Sequence, residues 1–90
     1  MKNLSQTTQF ARDVRLMRRR GKDLQRLRDV VQLLAEGHPL PPRCRDHPLA
    51  GPWRPSRDCH IEPDWLLVYT AVDVSLRLER TGTHRDLSRE

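Results

Sequence analysis

Three of the four histidines in this chain fall in its second half, in company with two aspartates, a tryptophan and an arginine: His47, Asp58, His60, Asp64, Trp65, Arg80 and His84. Their spacing predicts convergence. His60 stands near the end of one short strand-like run, and Asp64 and Trp65 open the next after Pro63. Antiparallel pairing of the two runs brings them beside His60. Arg80 follows Leu78 by two residues, and on a straight strand it shares the buried face of Leu76 and Leu78, where an arginine needs an anionic partner. His84 comes just after Gly82, on a segment free to fold back over the sheet end.

Histidine, carboxylate and guanidinium, with no Gly-rich phosphate loop and no metal-ligand cluster, suit one reaction: cleavage of RNA by its own 2′-hydroxyl. That hydroxyl loses a proton as it attacks the adjacent phosphorus, and the departing 5′-oxygen gains one. Two groups titrating near neutrality can do both, with a carboxylate to tune or orient them. A guanidinium meets two phosphoryl oxygens at once, and an aromatic such as Trp65 can stack on an unpaired base. The same residues admit plainer roles. Both tryptophans could be core, the reading favoured for Trp53. A loop histidine is often hydrogen-bonded scaffolding, and Asp58 could pair with Arg57 or Arg80. His38, between Gly37 and Pro39, reads as a helix-end cap. Cys44 and Cys59 read as reduced thiols, and with His60 they lack the ligand spacing of a tetrahedral metal site. Neither metal nor cofactor is expected.

Hydrophobic residues make up 36% of the chain and charged residues 32%. That balance suits one globular domain over residues 1–90, with a core of marginal size. No apolar run approaches the ~20 residues that span a bilayer. The opening MKNLSQTTQF has no signal-peptide character, so the expected address is cytoplasmic, away from membranes. The net charge of +5 is unevenly spread: residues 1–45 carry 11 Lys/Arg against 4 Asp/Glu, and residues 46–90 carry 6 against 8. A basic half beside a nearly neutral one suggests an anionic partner docked by the first and chemistry done by the second. Arginine-rich helices that merely keep the protein soluble are the alternative.

The elements follow from periodicity. Phe10, Val14 and Met17 form a helical stripe over about 7–20, ended by Gly21. Asp23 then caps a second helix carrying Leu24, Leu27, Val30, Val31 and Leu34, closed by Gly37. Prolines exclude helix from 38 to 63. A strand begins near Arg43–Cys44, Asp46–Pro55 is an ordered loop, and Arg57–Ile61 is a short strand. Trp65–Ala71 is the strongest strand, with a turn at Asp73 and Val74–Thr81 as its antiparallel partner. Residues 1–5 could add an edge strand, and 85–87 could begin a short helix. The sum is an α+β fold: a basic helical hairpin packed on a small twisted antiparallel sheet, with a short C-terminal helix.

The segments DHPLAGPW (46–53), RDCHIEPDWLLVY (57–69) and LRLERTGTH (76–84) resemble the YafQ branch of the RelE/ParE toxin superfamily, in order and in spacing. The resemblance implies a RelE-like fold and a ribosome-dependent, metal-independent endoribonuclease that cuts mRNA in the decoding site and inhibits translation. It implies a cognate antitoxin, DinJ- or RelB-like, with an acidic segment that wraps the toxin. Carried over by position, His47, His60, Asp64, Arg80 and His84 fall on catalytic positions, and Trp65 and Asp58 on or beside substrate-binding ones. On this basis His84 is assigned the general acid and Arg80 the phosphate. His60 and Asp64 share deprotonation of the 2′-hydroxyl, with His47 as second base or orienter. Arg18, Arg19, Arg20, Lys22, Arg26 and Arg28 then face ribosomal RNA. Two positions depart from the pattern: Ser88 stands where relatives often carry an aromatic, and so does Ser56. Two rivals stay open, a ParE-like toxin acting on gyrase and a basic nucleic-acid-binding module without catalysis.

Overall fold

The computed structural model of the chain describes residues 1–88. Its helices start and stop on local chemistry. Thr7 caps α1 (Thr8–Arg19), its hydroxyl accepting from the Phe10 amide at 2.9 Å. Asp23 caps α2 (Leu24–Ala35) through the Gln25 amide, as its position indicates. Both helices end alike: Gly21 and Lys22 donate backbone bonds to Arg18 and Met17, and Gly37 and His38 donate to Leu34 and Leu33. At each end the glycine takes a left-handed step, φ +82° and +76°, that a Cβ would disfavour. His38 is therefore part of a helix end.

Five strands form one sheet: β1 (Asn3–Gln6), β2 (His47–Pro48), β3 (Arg57–Glu62), β4 (Trp65–Val72) and β5 (Ser75–Gly82), in the order β1-β5-β4-β3-β2. Strands β2 to β5 pair antiparallel. The edge strand β1 runs parallel to β5, so the sheet is mixed rather than wholly antiparallel. A short helix, α3 (His84–Leu87), follows. Both long helices cover one face. Phe10, Met17, Leu27, Val30 and Leu34 meet Trp65, Leu67, Tyr69, Leu76 and Leu78 there. Central β4 is buried on its other face too, where Leu66 and Val68 lie under Leu49 and Trp53. Two-sided burial explains why that strand reads as an unbroken apolar run. Among the described residues no helix is long and apolar enough to cross a membrane.

The proline-rich segment departs from expectation. It holds no α-helix, but Pro42–Cys44 and Gly51–Trp53 are 3-10 turns. The strand expected at Arg43–Cys44 is absent. Pro42 has no N–H to give a ladder, and Arg45 reverses the chain at φ +48°, so pairing begins only at His47.

A bulge in β5 changes the outcome most. Val68 pairs with Arg80 but Tyr69 pairs with Leu78, leaving Glu79 as an extra residue. The extra residue inverts the alternation. Leu76, Leu78 and Thr81 all face the helices at 0%, 4% and 1% exposure. Arg80 therefore does not share the face of Leu76 and Leu78, as a straight strand would require. It lies on the opposite face with Val68.

Candidate active site

The face left bare by the helices gathers Arg80, Asp58 and the three C-terminal histidines. Arg80 is fixed first. Strand β1 ends at Gln6, so the outward N–H of Thr81 has no strand to meet. Asp13 of α1 takes that place, accepting from the Thr81 amide at 3.1 Å and from Arg80 Nε and Nη2 at 2.8 and 3.3 Å. Only 6% exposed, Asp13 holds the guanidinium by two hydrogen bonds, and Arg80 lines a depression on this face. Asp13 was missed in the sequence. The signal was a carboxylate three residues from Phe10, on the apolar stripe itself.

His84 opens α3. Thr83 and Asp86 form a reciprocal cap at that helix start, and Asp86 is anchored to Arg20 by bonds of 2.6 and 3.1 Å. The Asp64 carboxylate accepts from both the backbone N–H of His84, at 2.9 Å, and its Nδ1, at 2.6 Å. Those two bonds hold the Asp64 carboxyl below the usual carboxylate range. Asp64 thus pairs with His84 rather than with His60, the partner expected from strand order, because α3 folds back over the β3–β4 turn. His60 sets its Nδ1 at 3.2 Å from the Pro63 carbonyl, and its ring centroid lies 5.6 Å from that of His84.

A ring nitrogen facing a carbonyl must carry its proton. For neutral His60 that leaves Nε2 with the lone pair, and in His84 the Asp64 contact likewise directs attention to Nε2. His47 is different. Its Nδ1 lies 2.7 Å from the Arg45 carbonyl, and its Nε2 lies 2.9 Å from Asp58 Oδ1. That second contact is a close approach without hydrogen-bond alignment, since Asp58 Oδ1 is buried and accepts no hydrogen bond. Burial pushes the Asp58 carboxyl above its ordinary range, against the pull of His47, His60 and His84. Nδ1 of His47 is engaged by a carbonyl and Nε2 faces a buried carboxylate oxygen, a setting that suits an orienter better than a base.

Trp65 does not belong on this surface. It is 0% exposed, on the helix side, with Nε1 donating to Thr81 Oγ1 at 2.9 Å. Thr81 in turn donates to the Leu66 carbonyl at 2.7 Å. An indole enclosed in this way cannot stack on a base. Trp53, read as core, is only half-buried and lines the depression of about 210 Å³ with Asp58, Arg80 and His84. Cys44 and Cys59 are free and buried, and burial pushes the Cys59 thiol up, which argues against a nucleophilic role for it. Ser56 is buried and shares a hydrogen bond with Thr70.

The basic hairpin is partly engaged with the protein itself. Arg20 pairs with Asp86, while Lys22 and Arg26 both reach Glu62, at 2.9 and 3.0 Å. Lys22 also stands 6.0 Å from the Trp65 ring centroid. Arg28 donates to Gln25. Arg18 and Arg19 are exposed.

Two helices cover one face of a mixed sheet, and the other face carries imidazoles, carboxylates and a clamped arginine, the side-chain types that acid–base chemistry on an anion requires. The chain belongs to the YafQ family, described as bacterial toxins of type II toxin-antitoxin systems, which it matches over residues 2–89. It is 44% identical over 87 residues to the mRNA interferase toxin YafQ of Escherichia coli (strain K12), covering 96% of this chain and 95% of that protein. It also superposes on the toxin in a crystal structure of the E. coli DinJ-YafQ toxin-antitoxin complex, with TM-score 0.89, 44% identity and 96% of each chain covered. A crystal structure of YafQ from E. coli strain BL21(DE3) gives TM-score 0.92 at 42% identity, covering 97% of this chain and 98% of that one.

Proposed function

We propose that this chain is a ribosome-dependent endoribonuclease, the toxin of a type II toxin–antitoxin pair, which cuts mRNA in the ribosomal A site and so stops translation. The observation that carries the mechanism is the pair of imidazoles 5.6 Å apart beside an arginine already held by a buried carboxylate. His60 Nε2 takes the proton of the 2′-hydroxyl as that oxygen attacks phosphorus. The bond from phosphorus to the 5′-oxygen breaks, and His84 Nε2 gives that oxygen a proton. A 2′,3′-cyclic phosphate and a free 5′-hydroxyl result, with no net change in protons. Arg80 meets the charge that builds on the phosphoryl oxygens. Asp64 holds His84 in the tautomer and direction the acid needs, and His47 and Asp58 orient one another at the margin of the site.

The exposed Arg18 and Arg19, with Arg12 and Arg15 on the same helix, supply contacts to ribosomal RNA that carry no sequence choice. Arg20, Lys22 and Arg26 contribute field while also holding the fold. A DinJ-like antitoxin neutralises the toxin, a reading supported by the E. coli DinJ-YafQ complex, and an acidic segment on it would suit the basic helices. Action on translating ribosomes places the protein in the cytoplasm.

The test is cleavage of a short mRNA by purified protein in EDTA, with and without programmed ribosomes, beside His84→Ala. Cleavage only with ribosomes, undiminished by EDTA and lowered ~10²–10⁴-fold in the variant, is the expected result. An equal rate in His84→Ala removes the acid assignment. Absence of cleavage by folded wild-type protein removes the enzyme reading and turns attention to gyrase.

A further inference from the structure

The depression beside Arg80 and His84 has walls that no step of RNA cleavage uses. Its floor is the far face of β4, Leu66 and Val68, 7% and 5% exposed. Trp53, at the end of the Gly51–Trp53 turn, and Leu49 close one side, and Leu87 of α3 closes another. At about 210 Å³ it is smaller than the ~300–1,000 Å³ of a site for a whole small molecule, and suits one heterocycle. An apolar seat with an indole in its wall, opening directly onto a guanidinium and an imidazole, has the composition of a nucleotide subsite. The heterocycle meets the aromatic, and its phosphate meets the arginine.

We propose that this depression is a nucleobase subsite, in which Trp53 stacks on an unpaired RNA base adjoining the phosphate held by Arg80. The inference deepens the ribonuclease reading and rests on it. It exchanges the two tryptophans: the one in the PDW segment is enclosed in the core, and the one on the proline-rich loop faces substrate. That loop is held independently of any ligand. Leu49 N–H bonds the Ser56 carbonyl at 2.9 Å, and Ser56 N–H bonds the Trp53 carbonyl at 2.8 Å. Ser56 Oγ also lies 2.9 Å from Thr70 Oγ1 of β4. The indole is thus carried on a fixed wall rather than a free strap, which lowers the ordering cost of stacking.

The experiment measures cleavage on programmed ribosomes by wild-type protein, Trp53→Leu and Trp53→Phe. The mRNAs carry either normal bases or one abasic residue on either flank of the cut. Trp53→Leu is expected to lower kcat/KM about tenfold, mainly through KM, and Trp53→Phe to restore most of it. On one flank the abasic residue costs wild type a similar factor and costs Trp53→Leu nothing further, a coupling that a merely structural tryptophan would not show. Trp53→Leu within twofold of wild type, or losses from variant and abasic residue that simply multiply, overturns the subsite while leaving the ribonuclease reading intact. Should Trp53→Leu not fold, indifference of wild type to abasic residues on both flanks overturns it equally. Should wild type cut nothing, the ribonuclease reading has failed. Anisotropy of a labelled 2′-O-methyl oligonucleotide, which cannot be cut, then decides the subsite: about tenfold weaker binding by Trp53→Leu supports it, and unchanged binding overturns it.

Discussion

Asp13 offers the sharpest test of how the fold serves the chemistry. It is buried, carries a charge on the apolar side of α1, and accepts from Arg80, Thr81 and Gln9 together. Asp13→Asn keeps the shape but removes the charge, and it sets an amide N–H against donors on every side. Charge-assisted hydrogen bonds contribute about 1.5–3 kcal/mol and neutral ones about 0.5–1.5, so a loss near 2 kcal/mol is expected. Breaking a fully buried pair costs ~3–5 kcal/mol. The Arg80 side chain is 21% exposed, so Asp13→Ala belongs at the lower end of that range. In a domain of this size 1 kcal/mol shifts Tm by about 4–8 °C, which places Asp13→Asn roughly 10 °C below wild type. The effect on catalysis is separate. Removing one positioned donor from developing charge costs ~10²–10³-fold in kcat. Here the guanidinium stays but loses its clamp, so kcat should fall about 10- to 100-fold at 25 °C, with a smaller change in KM. The assay is mRNA cleavage on programmed ribosomes, paired with a thermal melt. A lowered Tm with full kcat would mean that Asp13 only joins α1 to the β5 edge. An unchanged Tm would refute the energetic reasoning as well.

Two further outcomes follow from the anchoring of α3. A Cβ on Gly82 would stand 2.9 Å from Asp86 Cβ and 3.0 Å from Asp86 Oδ2, so Gly82→Ala must move α3 and His84 with it. A loss of ~1–3 kcal/mol and at least tenfold in cleavage rate is expected; a melt and rate equal to wild type would sink the idea. The hydrogen bond from Arg20 holds the Asp86 carboxyl at about 2, below its ordinary 3.8. Because the unfolded chain takes up that proton first, the pair's stabilisation is complete above about pH 4 and fades as pH falls toward 2. Solvent screening keeps that contribution small. Melts of wild type and Arg20→Gln should therefore differ at pH 6 and converge near pH 2, and a constant gap would contradict the assignment.

Much of this protein is local, and what is local could be read directly. The helix ends at Gly21 and Gly37 and the cap at Asp23 depend on a few adjacent residues, so the sequence suffices to place them. The apolar run Trp65–Ala71 is a strand in any context with a core to bury it. The residue types at His47, His60, Asp64, Arg80 and His84 point to the proposed chemistry, because few side chains carry protons near neutrality or hold phosphate. What each residue faces was decided elsewhere. One extra residue, Glu79, turns Arg80 out of the core and Thr81 into it, and nothing in LRLERTG announces the bulge. Folding α3 back over the β3–β4 turn assigns Asp64 to His84, and a proline-rich loop laid across β4 gives Trp53 a surface while Trp65 sinks beneath it. Residue identity sets what a group can do. Its partner depends on contacts across dozens of residues, such as the 67 between Asp13 and Arg80, and only the packed fold makes them.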